Sequence, residues 1–158
     1  DMNIVITGAN GSLGSQLIKY FSTRAAFVAG TIRKLSENVE NSKFSIIEMD
    51  PMDHYSIENT INEINNEAGD IHAWINTIGG FVMGRHVEED RDSWNYMYST
   101  NYMTTLNCCQ QILPLMKYAG WGRIINIGAL AAVRGIPLAG AYCTSKVAVH
   151  MLTKIIAL

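Results

Sequence analysis

Five apolar runs punctuate the chain, and the segments between them carry helical periodicity. The runs are MNIVIT (2–7), AFVAGTI (26–32), FSIIEM (44–49), IHAWINT (71–77) and GRIINIG (122–128). Each has the length and composition of a buried strand. After the first run, Leu13, Leu17, Ile18 and Phe21 mark one helical face. After the third, Ile57, Ile61 and Ile64 repeat at helical spacing. A long helical stretch is predicted from about Asp92 to Tyr118, kinked at Pro114, which lacks a backbone donor. The last pattern runs from about Ala139 to Leu158, with Val147, Met151 and Ile155 on one face. Apolar strands alternating with helices predict an α/β fold: a doubly wound parallel sheet in three layers, α/β/α. The chain stops inside its last helical pattern, and the fifth strand would sit at a sheet edge. The fold is therefore expected to be C-terminally incomplete.

Composition narrows the class. The 158 residues are 48% apolar and 16% charged, enough for a single domain (1–158) that fills a core without disulfide or metal. A formal net charge of −2 gives no basic face for nucleic acid or an anionic membrane. Cys108, Cys109 and Cys143 are an odd count with two adjacent, which suits free thiols in a reducing, cytoplasmic setting. No secretory leader or membrane span is expected, and Asp1 reads as a trimmed or added start. His54, His72, His86 and His150 are scattered without ligand spacing, so no metal site is expected.

Two stretches carry nucleotide chemistry. In VITGANGSLGSQL, Gly8, Gly11 and Gly14 join the first strand to the first helix. Glycines there permit a tight turn, close approach of a pyrophosphate and close helix–strand packing, and the helix start offers N–H groups to phosphate. A plain tight turn could also use three glycines; the place in the first βα unit favours a dinucleotide. The second run ends GTIRK. Ile32 stands where an acid would bind the ribose hydroxyls of NAD, and Arg33 and Lys34 follow, with no acid before Glu37. Two cations and no acid favour NADP(H) over NAD(H), although a solvated basic turn would read the same.

Taken in order, these pieces resemble the short-chain dehydrogenase/reductase family, a Rossmann-fold family, over the whole chain. TGANGSLG resembles its glycine motif, with Asn10, Ser12 and Leu13 beside the glycines. MDPMD resembles its stretch after strand three, which implies that Asp50 and Pro51 meet the adenine. NTIGG resembles its motif after strand four, which adds Asn76, Thr77, Ile78 and Gly79 to the cofactor set. Asn101 matches the family's helix-four asparagine, and YCTSK its Tyr-x-x-x-Lys. The resemblance implies that Tyr142 donates the proton, that Lys146 lowers the phenol's pKa and holds the nicotinamide ribose, and that Asn101 anchors a water relaying protons to Lys146. It also implies a small-molecule substrate, a substrate lid beyond Leu158, and a homo-dimer or homo-tetramer built on Tyr98, Tyr102, Met103, Leu106, Val149, Leu152 and Ile156.

Two departures stand out. Gly11 and Ser12 shift the usual glycine spacing. The family's catalytic serine lies thirteen residues before the tyrosine, where this chain has Ala129. Both departures resemble the dihydropteridine reductase branch, as does Gly79-Gly80-Phe81. Losing one oxyanion donor typically lowers rates by about 10²–10³. A quinonoid ring that delocalises charge needs that donor less than a ketone does. A different class therefore stays open: a nucleotide-sensing protein that binds the cofactor and has lost turnover. A nucleotide-hydrolysing domain is disfavoured because no G-K-S/T loop is present.

Overall fold

The computed structural model describes residues 2–35, 44–84 and 90–158, so Glu37 and His86 lie outside the described residues. In chain order the elements are β1 Asn3–Thr7, α1 Ser12–Phe21, β2 Phe27–Ile32, β3 Ser45–Glu48, α2 His54–Ala68, β4 Ala73–Asn76, α3 Arg91–Tyr98, a π-helical segment Ser99–Met103, α4 Thr104–Ala119, β5 Arg123–Asn126, α5 Ala131–Arg134 and α6 Gly140–Ile156. The chain divides into two compact units, Asp1–Thr77 with Asn107–Ile125, and Ile78–Leu106 with Asn126–Leu158.

The sheet order is β3-β2-β1-β4-β5. The β1–β2, β1–β4 and β2–β3 pairs are parallel, as the unbroken apolar runs predict. Alternate residues of each strand feed opposite faces in the first unit. Val5, Ala29, Ile47 and Trp74 meet Ile57, Ile61 and Ile64 of α2 and Cys108, Ile112 and Met116 of α4. Ile4, Ile6, Val28 and Ile75 meet Leu17, Ile18 and Phe21 of α1 on the other face. Helix, sheet and helix thus form three layers. Cys108 and Cys109 are core filling, and burial pushes the Cys108 thiol well above its usual range. Chain order reverses between β1 and β4, so the carboxyl ends of these two strands are the switch point where such sheets bind ligands.

In the second unit, α6 packs on α3 and the π-helical segment, burying Ala141, Ser145, Lys146, Val149 and Leu152. The helical stretch expected from about Asp92 to Tyr118 is present as α3, a π-helical turn at Ser99–Met103 and α4 in unbroken succession, and α4 runs through Pro114 without interruption. Val149 and Leu152 are buried and do not form a free face; Val147, Met151 and Ile155 are the exposed side of α6. The short α5 was not expected, because one helical turn is too brief to show a period. Among the described residues, no helix is long and apolar enough to cross a membrane.

Candidate active site

The glycine turn leaves β1 at Thr7. Gly8 has φ 65°, a left-handed conformation that favours glycine. Its carbonyl accepts from the Gly11 N–H at 2.9 Å. A Cβ on Gly14 would collide with the same Gly8 carbonyl oxygen and lie 2.9 Å from its carbon. Gly14 therefore lets α1 start hard against the turn. That helix has no side-chain cap and no acid in its first turn, so its first N–H groups are left for an outside acceptor. Asn10, Gly11, Ser12 and Leu13 are exposed around it. This cradle fits a phosphate-bearing cofactor on geometry alone.

The other end of the switch point is built by β4. Thr77 donates its hydroxyl to the Thr7 carbonyl, and its N–H reaches Thr7 Oγ1 at 3.2 Å. Asn76 is turned into the core: its Oδ1 accepts from Trp74 Nε1 at 2.9 Å, and its Nδ2 faces Cys109 Sγ at 3.7 Å. The Asn76 side chain thus braces β4. Arg33 and Lys34 are exposed after β2. Asp50 is exposed in a turn, its Oδ1 accepting from the Met52 N–H at 2.9 Å. Pro51 is buried, and its carbonyl accepts from Asn107 Nδ2 at 3.0 Å.

In the second unit the structure brings Asn101, Lys146, Gly79 and Gly80 together, with Tyr142 on the same helix as Lys146. Asn101 lies in the π-helical segment and is fully buried. Single π-turns are rare and collect at functional sites. Two hydroxyls support this one: Thr104 donates to the Thr100 carbonyl at 2.8 Å and Thr105 to the Asn101 carbonyl at 3.2 Å. The Asn101 side chain grips Gly80 from both sides. Its Oδ1 accepts from the Gly80 N–H at 2.8 Å, and its Nδ2 donates to the Gly80 carbonyl at 3.1 Å and to Ser145 Oγ at 3.0 Å. A Cβ on Gly79 would stand 3.1 Å from Asn101 Oδ1 and 3.3 Å from Lys146 Nζ. Gly79 thus leaves the backbone close to both side chains.

Tyr142, Lys146 and His150 occupy i, i+4 and i+8 on α6, one face of the helix. Lys146 Nζ donates to the Ile127 carbonyl at 2.8 Å. Burial holds its amine below the usual lysine value. Phe81 packs edge-on against Tyr142, centroids 4.8 Å apart. Burial, with Cys143 adding to it, raises the Tyr142 phenol above its ordinary value. This overturns the expectation that Lys146 lowers it: the spacing puts both on one face but says nothing of desolvation, which opposes both charged forms. Sequence reasoning missed Ser145, which is fully buried and ties Asn101 to the Tyr142 carbonyl, to which its hydroxyl donates at 2.8 Å. The one signal was its place beside Lys146 inside YCTSK. The carbonyl of Leu138, which has φ 60°, accepts from the Gly84 N–H at 2.8 Å and pins the Gly79–Gly84 loop.

A parallel sheet with a glycine turn at its switch point, and a Tyr-x-x-x-Lys helix with a buried asparagine, are the features by which this chain is compared with known proteins. The profile of the short chain dehydrogenase family matches residues 2–158, and the chain belongs to that family. Similar proteins include 3-ketodihydrosphingosine reductase of Bacteroides thetaiotaomicron, 32% identical over 98% of this chain and 57% of that protein. Meso-2,3-butanediol dehydrogenase of Serratia marcescens is 28% identical over 98% of this chain and 64% of its own length. The chain thus spans less than two thirds of the length of either of these relatives. Among solved structures, ElxO with NADP bound superimposes with a TM-score of 0.88 at 25% identity, covering 96% of this chain and 64% of that one.

Proposed function

We propose that the protein is an oxidoreductase moving a hydride between NADP(H) and a small carbonyl or quinonoid substrate, with residues 1–158 working as one NAD(P)-binding domain. The observation that carries this reading is the pairing of Tyr142 and Lys146 on one face of α6, with the buried Asn101 braced beside it through Ser145. The cofactor supplies the hydride. Tyr142, whose phenol burial shifts upward, gives the proton to the reduced oxygen or nitrogen. Lys146 holds the nicotinamide ribose and returns the proton, and Asn101 anchors the water that feeds it. In this reading the Gly8–Gly14 turn takes the pyrophosphate, Ile78 and Gly79 belong to the cofactor set, and Asp50 meets the adenine. The quinonoid option rests on Ala129, which offers no hydroxyl, and on the Phe81 ring beside Tyr142. The nucleotide-sensing alternative is favoured by the same Ala129. Cys108, Cys109 and Cys143, which form no disulfide with one another, favour a reducing, cytoplasmic setting.

Arg33 and Lys34 set the cofactor preference in this reading. A charge-assisted contact to the extra phosphate contributes about 1.5–3 kcal/mol, so NADPH should bind about 10–150-fold more tightly than NADH. Fluorescence titration with both cofactors checks this; equal affinities, or tighter NADH, would remove the claim. A homo-oligomer is also expected, through Tyr98 of α3 and the exposed Val147, Met151 and Ile155. Light scattering at micromolar concentration should give at least twice the monomer mass.

A further inference from the structure

His150 answers a question that Gly128 raises. The strand β5 ends at Asn126, and the turn Ile127–Ala129 leads to α5. Three rungs tie the end of β5 and this turn to α6: Asn126 Nδ2 to Thr153 Oγ1 at 2.9 Å, Lys146 Nζ to the Ile127 carbonyl at 2.8 Å, and the Ala129 N–H to His150 Nε2 at 3.2 Å. A backbone N–H can only donate, so Nε2 of His150 carries the lone pair and Nδ1 the proton. The imidazole lies where a Cβ on Gly128 would be: that atom would overlap Nε2 and stand 2.6 Å from Cδ2. Gly128 is therefore fitted to His150: a side chain at 128 requires the imidazole to move.

We infer that His150 is a positioning residue which, through the Ile127–Ala129 turn, sets the carbonyl that holds Lys146. The same bond occupies the backbone N–H of Ala129. Residue 129 thus has neither a hydroxyl nor a free N–H to offer a developing oxyanion. The effect on turnover rests on the hydride-transfer reading above; the Gly128–His150 coupling does not.

A double-mutant cycle separates the two. Gly128→Ala in the wild-type background should lower the melting temperature markedly, and the same change in a His150→Ala background should lower it by less than half as much. Equal losses in both backgrounds would overturn the coupling. For the positioning role, His150→Leu should reduce kcat about 10–100-fold, the loss expected of a small misplacement at the reacting centre, with the KM for NADPH within about two-fold. His150→Gln, which offers an oxygen to the Ala129 N–H, should restore most of kcat. Unchanged kcat in His150→Leu, or no rescue by glutamine in a folded variant, would overturn it. Should the wild type bind NADPH yet reduce none of a panel of ketones, quinones and quinonoid pterins, the hydride-transfer reading and the role in turnover both fall, while the melting cycle still decides the coupling.

Discussion

Replacing Tyr142 by phenylalanine is expected to cut reduction by about 10²–10⁴-fold, the usual worth of a positioned general acid, with NADPH binding unchanged within a few-fold. Phenylalanine keeps the ring that packs edge-on to Phe81 and removes only the hydroxyl. Lys146→Ala should damage turnover and cofactor binding together, since the proposed function gives its ammonium both the proton transfer and the ribose. The raised Tyr142 phenol adds a sign to the pH profile. Below about pH 10, the ordinary tyrosine value, the phenol stays protonated, so reduction should be level through neutrality and fall only above that. Oxidation needs the phenolate and should rise over the same alkaline range. Rate profiles in both directions decide this; reduction that already declines between pH 7 and 8 would show a phenol lowered rather than raised.

Asn101→Ala should produce the largest combined loss of stability and activity. Its side chain is fully buried and satisfies both backbone groups of Gly80 and the hydroxyl of Ser145. Truncation strands these partners away from water at about 1–3 kcal/mol each, less where one finds a new partner. A net loss of about 3 kcal/mol would lower the melting temperature by about 6–12 °C in a chain of this size. The Gly79–Gly80 backbone would also lose its anchor beside Lys146, so reduction should fall with it. Calorimetry and steady-state rates on the same preparation check both; a variant that melts like the wild type would show that Asn101 does not brace this loop.

The strands were legible because a parallel sheet buried on both faces needs continuous apolar runs, and MNIVIT and IHAWINT supply them. Some of their ends were overrun by one or two residues, since apolar flanks such as Ile71 are buried without pairing as strand. The π-turn was not legible: STNYM has no polarity pattern that separates it from α-helix. Proline drew attention to Pro114, yet the helix tolerates it there. Tyr142, Lys146 and Asn101 could be picked out by order and spacing, but their environment could not. Spacing cannot show that Lys146 is buried and bonded to Ile127, so the direction of the tyrosine shift was misread. His150 has no sequence signal, because its partner is a backbone N–H far from it in sequence rather than a spaced set of ligands. Asn76 matched a motif and proved to point at Trp74 and Cys109.

The most direct test of hydride transfer follows deuterium from NADPH labelled at nicotinamide C4 into product, by mass spectrometry, across a panel of ketones, quinones and quinonoid pterins. The wild type is expected to place one deuterium in the reduced product of at least one member, and Tyr142→Phe to leave that product near background. Saturable NADPH binding with no deuterium in any product would contradict the account and leave a nucleotide-sensing protein in its place.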